Sequence, residues 1–150
     1  MARVTFRQYR STDYQACIDI FDANCPAFFA PNERRAYESF LDSVPAGYEV
    51  CEVDGLTLGA FGLFDDAGDT KVINWILLAP EAQGMGIGSN LMKRAIRRGH
   101  SANARLIRIA TSPKAALFFA RFGAVARTTT VEGWGPGMDR VDMELPLSGG

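Results

Sequence analysis

The stretch Gln83-Gly84-Met85-Gly86-Ile87-Gly88-Ser89 has the residue types and spacing to hold a phosphate. Its glycines let the backbone take turn conformations that a Cβ forbids and come close to a ligand. The apolar run Val72 to Ala79 precedes it and the amphipathic pattern Ile87 to Arg98 follows it. The order is therefore strand, glycine-rich turn, helix. A helix N-terminus adds unpaired N–H groups and the positive end of the dipole. Together these make a site for a phosphate or pyrophosphate.

Two phosphate motifs fit poorly. A mononucleotide P-loop needs Gly-x-x-x-x-Gly-Lys-Ser/Thr, and no Lys follows Gly88. A dinucleotide fingerprint needs Gly-x-Gly-x-x-Gly with an acidic residue about 20 positions on. Counted from Gly84, its third glycine falls on Ser89, and the region near Arg108 offers a base where the ribose wants an acid. A third pattern, Gln/Arg-x-x-Gly-x-Gly/Ala after a strand, is met by Gln83, Gly86 and Gly88.

The elements that must position this turn follow from periodicity. The spacing predicts a first strand over Arg3 to Tyr9, then a helix opened by a Thr12–Gln15 capping box with Tyr14, Cys17, Ile18 and Phe21 on its apolar face. A loop from Cys25 to Asn32 carries Phe28 and Phe29 at its tip. Asn32 caps a second helix with an Ala36, Tyr37, Phe40 and Leu41 stripe. Asp54-Gly55 joins Tyr48–Val53 to Leu56–Phe64 as a hairpin, and Thr70 to Ala79 adds a third antiparallel strand. That strand is apolar on both faces, which places it centrally. The helix after the glycine-rich turn stops at Gly99. Arg105 to Ala110 is a strand parallel to the central one through a right-handed crossover. Ser112-Pro113 starts a last helix. Ala124 to Val131 and Arg140 to Leu147 are the final strands, joined by a loop holding Trp134, and Ser148 to Gly150 fray.

Composition narrows the function classes. The 150 residues are 47% apolar and 22% charged, with a net charge of −1. That suits one globular domain over 1–150 and gives no global field toward nucleic acid or an anionic membrane. No apolar run reaches about 18 residues, so no membrane span is expected, and the N-terminal residues read as a strand, not a signal peptide. Cys17, Cys25 and Cys51 lack Cys-x-x-Cys spacing, which points to reduced thiols in a cytoplasm without metal. The basic face formed by Lys93, Arg94, Arg97 and Arg98 reads as solvated.

The third glycine pattern resembles the acetyl-CoA motif of the GCN5-related N-acetyltransferases. A second stretch, Ser112 to Gly123, resembles the family's Asn-x-x-Ala-x-x-x-Tyr-x-Lys/Arg-x-Gly at Ala115, Arg121 and Gly123, with Ser112 at the Asn position and Phe119 at the Tyr position. The element order β-α-α-β-β-β-α-β-α-β-β is also similar across nearly the whole chain. The resemblance implies an α/β (α+β) fold: a mixed, mostly antiparallel sheet of about seven strands with about four helices, and a splayed parallel strand pair at the CoA site. It implies that backbone groups of Leu77, Leu78 and Ala79 pair with the pantetheine arm like an added strand. Gln83, Gly84, Met85, Gly86, Ile87, Gly88 and Ser89 would hold the pyrophosphate, with Ser112 and Phe119 beside the arm. Phe28, Phe29 and Trp134 would border the acceptor. The implied activity is transfer of acetyl from acetyl-CoA, as cosubstrate, to a small-molecule amine by direct attack in a ternary complex. Alternatives are a non-catalytic acyl-CoA-binding sensor or interaction domain, and a protein or peptide N-acetyltransferase. Family members often form dimers, and a homodimer is implied by that analogy alone.

Acid and base are the gap in this reading. Many family members use a Tyr as general acid, and Phe119 has no hydroxyl. The substitutes offered by the chain are Ser112 through water, or Tyr37 or Tyr48 from outside the motif. For the base, Glu52, Asp69 and Asn74 lie on or beside the meander; Asn74 can only orient a water or substrate. His100 reads as a cap or surface residue, and Cys51 as a small buried hydrophobe.

Overall fold

The computed structural model describes residues 3–82 and 84–147; Gln83 and the expected frayed end, 148–150, lie outside the described residues. The strands are β1 (Val4–Gln8), β2 (Tyr48–Val53), β3 (Leu56–Asp65), β4 (Thr70–Leu78), β5 (Leu106–Thr111), β6 (Val125–Gly135) and β7 (Met138–Pro146). The helices are α1 (Tyr14–Ala23), α2 (Arg34–Asp42), α3 (Ile87–Ser101) and α4 (Pro113–Ala120). The strands form one sheet in the order β1-β2-β3-β4-β5-β7-β6. All neighbours are antiparallel except β4 and β5. The both-face apolar run is thus the middle strand, and Asp54-Gly55 turns the β2–β3 hairpin with φ of 52° and 82°, the left-handed pair such a tight turn requires.

Adjacent residues of β2 show the two layers. Tyr48 bonds Tyr37 of α2, whereas Glu49 takes two hydrogen bonds from Arg94 of α3, at 3.0 and 2.9 Å. Successive strand residues point to opposite faces, so α1 and α2 cover one face and α3 the other. On the α1–α2 side, Phe21, Phe29, Tyr37, Phe40 and Trp75 form an aromatic cluster, with Tyr37 and Trp75 ring centroids 4.8 Å apart. On the other side, Ile87, Leu91, Met92 and Ala95 of α3 are buried, the four-residue spacing that the amphipathic pattern required.

Several boundaries differ from the sequence reading, each for a local reason. The first helix is not opened by Thr12 and Gln15. Arg10 N–H donates to Asp13 Oδ2 at 2.8 Å across a 3-10 turn, while Gln15 reaches Asp19 instead. Asn32 does not cap α2; Glu33 Oε2 accepts from Ala30 N–H at 2.8 Å, and Asn32 Nδ2 donates to Trp134 O at 2.8 Å. Ala36 is exposed, outside the stripe. Gly99 does not stop α3, which runs to Ser101. Its missing Cβ makes room, since one there would lie 2.8 Å from Leu147 Cδ1. The loop expected around Trp134 is mostly strand: β6 continues to Gly135 and only Pro136-Gly137 turn. Nearly all of β6 is exposed, as an edge strand.

Candidate functional site

The parallel pair β4–β5 is in register from Thr70–Leu106 to Ile73–Ile109 and then parts, although both strands continue. A bulge in β4 lies at the parting. Gly62 pairs with Asn74 and Ala60 with Leu77, so Trp75 and Ile76 together oppose Phe61. A bulge bends its strand, and this one holds Trp75 at φ 52°, an outlier for a bulky residue. The Tyr48 hydroxyl donates to Trp75 O at 2.7 Å and accepts from the Tyr37 hydroxyl at 2.8 Å. Both tyrosines are fully buried, and burial raises both phenols well above their ordinary range.

Beyond the bulge, Ala79 N–H donates to Leu58 O at 2.8 Å. Strand alternation then turns the N–H of Leu78 toward the parted side, while Leu78 O accepts from Asn24 Nδ2 at 2.9 Å. The backbone of Ala79 is committed to β3, leaving Leu78 as the edge group facing the gap.

A cavity of about 880 Å³ occupies the split and crosses the sheet. One end is lined by Asn24, Phe28, Phe29 and Glu33 from the α1–α2 side. The other is lined by Gly84, Gly86, Ile87, Gly88 and Ser89 at the start of α3, and by Phe118 and Phe119 of α4. Gly84 and Gly86 sit at φ 83° and 75°, which explains the glycines of the motif. The first intrahelical bond of α3 is Asn90 N–H to Gly86 O at 3.1 Å. The N–H groups of the first helical residues have no intrahelical acceptor, and Ile87, Gly88 and Ser89 line the cavity. A Cβ on Gly88 would lie 2.9 Å from the Phe118 ring, so glycine here sets the approach of α3 to α4. Met85 and Ala79 do not line the cavity, and Met85 is exposed.

The residues expected to act as acids or bases scatter. Ser112 and Phe119 line the cavity and are buried; the Ser112 hydroxyl caps α4 by accepting from Ala115 N–H at 3.3 Å. Asn74 lines it and is exposed to it. Glu52 does not: it is two strands away on β2, paired with Arg7. Asp69 pairs with Arg105 at 3.5 Å on the surface, and His100 is exposed on the last turn of α3. Tyr37 and Tyr48 lie beneath the bulge, outside the lining. Cys51 is buried, and burial pushes its thiol up to about 11. The cysteines are free.

The α1–α2 side of the cavity is aromatic. Trp134 Nε1 donates to Thr111 O at 3.0 Å, which ties β6 to the end of β5. Sequence reasoning missed Asn24, Glu33, Thr111, Lys114 and Arg140, all of which line the cavity. Glu33 is buried, and burial pushes its carboxyl up against the opposing hydrogen bond from Ala30. Lys114 and Arg121 also line the cavity and make no ion pair among the described residues. Glycine-lined N–H groups, two free cations and an unpaired strand edge fit a long ligand with anionic groups at one end and an amide-bearing arm at the other. Among the described residues, no cluster of three His, Cys, Asp or Glu could hold a metal, and no helix is long and apolar enough to cross a membrane.

Comparison with known proteins agrees with this geometry. The sequence matches the model of the acetyltransferase (GNAT) family over residues 17–124, well over half of the chain. No curated protein matches it. A protein of Desulfovibrio desulfuricans assigned to the GNAT family superposes with a TM-score of 0.78 at 21% identity, covering 97% of this chain and 100% of that one. The ribosomal-protein-S18-alanine N-acetyltransferase of Escherichia coli gives 0.78 at 15% identity, covering 97% and 95%. The YncA protein of Salmonella typhimurium, solved with its cofactor acetyl-CoA, gives 0.68 at 18%, covering 97% and 95%. At these identities the structural likeness shows the fold alone.

Proposed function

The chain belongs to the acetyltransferase (GNAT) family, and from that premise we propose that it transfers the acetyl group of acetyl-CoA to the amine of a small molecule within one ternary complex. The observation that carries the reading is the cavity crossing the sheet where β4 and β5 part. In this reading the N–H groups at the start of α3 take the pyrophosphate and the Leu78 edge takes the arm. Lys114 and Arg121 add positive charge. The thioester then lies at the bulge, and the acceptor enters between Phe28, Phe29 and Trp134.

The reaction needs a neutral amine. Its lone pair attacks the acetyl carbon, the carbon–sulfur bond breaks, and the nitrogen gives up a proton as the thiolate gains one. Holding both reactants in one cavity supplies much of the rate through proximity. Of the three hydroxyls the sequence offered, Ser112, Tyr37 and Tyr48, it is Ser112 Oγ that belongs to a lining residue, and we assign it the protonation of the thiolate through water. Phe119 supplies packing only.

A second reading, an acyl-CoA-binding domain without transfer, is favoured by one observation: Phe119 brings no hydroxyl, and the Ser112 hydroxyl is already engaged as a cap. Titration calorimetry of acetyl-CoA, followed by a CoA-release assay over a broad amine panel, separates the two. Binding with turnover supports transfer. Binding without turnover favours the second reading, and absence of binding rejects both.

A further inference from the structure

Resting on the acetyltransferase reading, we propose that the acceptor is zwitterionic, an amino-acid-like molecule whose amino end is received by Glu33, the carboxylate taking the ammonium proton so that the neutral nitrogen can attack, and whose anionic end is held by Arg140. The two side chains come from opposite walls of the acceptor half of the cavity. Glu33 precedes α2, whereas Arg140 is on β7. Val141, Met143 and Leu145 of β7 are buried in step with Leu147, which packs on Gly99 of α3, so alternation puts Arg140 on the face that α1 and α2 cover. The Asn32–Trp134 hydrogen bond, at 2.8 Å, joins the two walls. Glu33 and Arg140 thus stand on either side of one contact.

Each group has unused capacity. Glu33 gives one carboxylate oxygen to Ala30 N–H, and the other has no protein donor among the described residues. That oxygen is not buried away from the cavity, so an incoming ammonium can reach it. Arg140 directs Nε and Nη2 at the same Asp142 oxygen, at 3.1 and 3.0 Å, and its guanidinium lies 4.9 Å from the Trp134 ring centroid. That stacking fixes the plane and leaves Nη1 for an anion.

The balance of charges also weighs against a polycation. Among the described residues of the lining, Glu33 is the one acidic side chain, against Lys114, Arg121 and Arg140. With Lys114 and Arg121 assigned to the cosubstrate, Glu33 and Arg140 remain in the acceptor half, the charge of Arg140 partly offset by Asp142. A polyamine would meet a single carboxylate among the described lining residues, too few for its several cations.

The test uses the purified full chain with acetyl-CoA and three acceptor sets: the standard α-amino acids, their α-carboxamides, and spermidine. The preferred amino acid is expected to exceed its own amide and spermidine in kcat/KM by about tenfold or more, the worth of one charge-assisted hydrogen bond. Arg140→Gln should collapse the acid-to-amide ratio toward one, and Arg140→Lys, which keeps the charge, should retain part of it. Glu33→Gln should lower kcat/KM for acid and amide alike. Circular dichroism and melting of each variant separate a lost contact from a lost fold. If acetyl-CoA binds but amides or spermidine react as well as acids, or no acceptor reacts, this proposal falls while the cosubstrate site stands. A preference for acids that survives Arg140→Gln in a folded variant overturns it too. If acetyl-CoA does not bind, the acetyltransferase reading itself is rejected.

Discussion

Tyr48→Phe isolates the device that keeps β4 bulged. The substitution removes one hydroxyl and both of its bonds, 2.7 Å to Trp75 O and 2.8 Å from Tyr37. A buried acceptor left without a donor costs about 1–3 kcal/mol, and the orphaned Tyr37 hydroxyl adds to it. Trp75 at φ 52° also carries strain of roughly 1–3 kcal/mol, which the Tyr48 bond helps to hold. The summed loss is about 2–4 kcal/mol, a fall in Tm of roughly 5–12 °C for a chain of this size. With the bulge no longer over-determined, part of the population relaxes toward a regular strand. Affinity for acetyl-CoA should then drop by about two- to tenfold, in proportion to the competent fraction. Tyr37→Phe is the control, because it leaves the bond to Trp75 intact. It should cost about 1 kcal/mol and change affinity by less than about twofold. Differential scanning calorimetry and acetyl-CoA titration read both quantities. A Tyr48→Phe protein that melts earlier yet binds acetyl-CoA unchanged would refute the reasoning, as would equal weakening by the two variants.

Gly86→Asp should abolish acetyl-CoA binding, whereas Gly86→Ala should weaken it modestly; a Cβ there meets open space, so the shared cost is the left-handed φ, about 1–2 kcal/mol, and the difference between the variants in titration calorimetry reports the added charge. Trp134→Ala removes the bond to Thr111 and the wall under Arg140, and should raise the acceptor KM more than the acetyl-CoA KM in initial-rate kinetics. The Arg7 guanidinium holds the Asp13 carboxyl below its usual range. A lowered folded pKa means that this stabilisation is full above about pH 4 and is lost as the pH falls through the folded value. Asp13→Asn should therefore lower Tm at neutral pH and flatten its decline below about pH 4, as a melting series across pH would show.

The strand–turn–helix around Gly84 to Gly88 was legible because its signals are local: an apolar run, glycines, then a helical stripe. The hairpin at Asp54-Gly55 and the parallel β4–β5 pair followed from equally local chemistry and from topology. The bulge at Trp75 was not legible, since Val72 to Leu78 reads as uninterrupted β and the cause, the Tyr48 hydroxyl, is distant in sequence. Gly99 shows the same limit: a glycine that ends a helix and one that lets Leu147 approach look alike until the packing is known. The turn before α1 is closed by Asp13 onto the N–H of Arg10, and arginine is no recognised cap, so the nearby Thr12–Gln15 spacing drew the reading. Glu33 carried a usable signal, an acid three residues after Ala30 at a helix start, which predicts the cap but not the free oxygen. Arg140 was one polar position in an alternating strand, and only the pairing of β6 with β7 sets it over Trp134. Glu52 failed in the opposite way: the meander was read correctly, but the face and the strand were too far from the split.

The passage of the cavity through the sheet bears on the order of events in the proposed reaction. A pocket resting on one face forces two reactants to share an entrance, so the first to arrive obstructs the second. The cavity is lined by α3 and α4 residues at one end and by Phe28 and Phe29 at the other, so in the proposed reaction nucleotide and acceptor would approach from opposite ends and meet at the parted strands. Neither traffic stream crosses the other. Such an arrangement requires no lid to open between arrivals, and spent CoA can depart while the acetylated product is still seated on the opposite side.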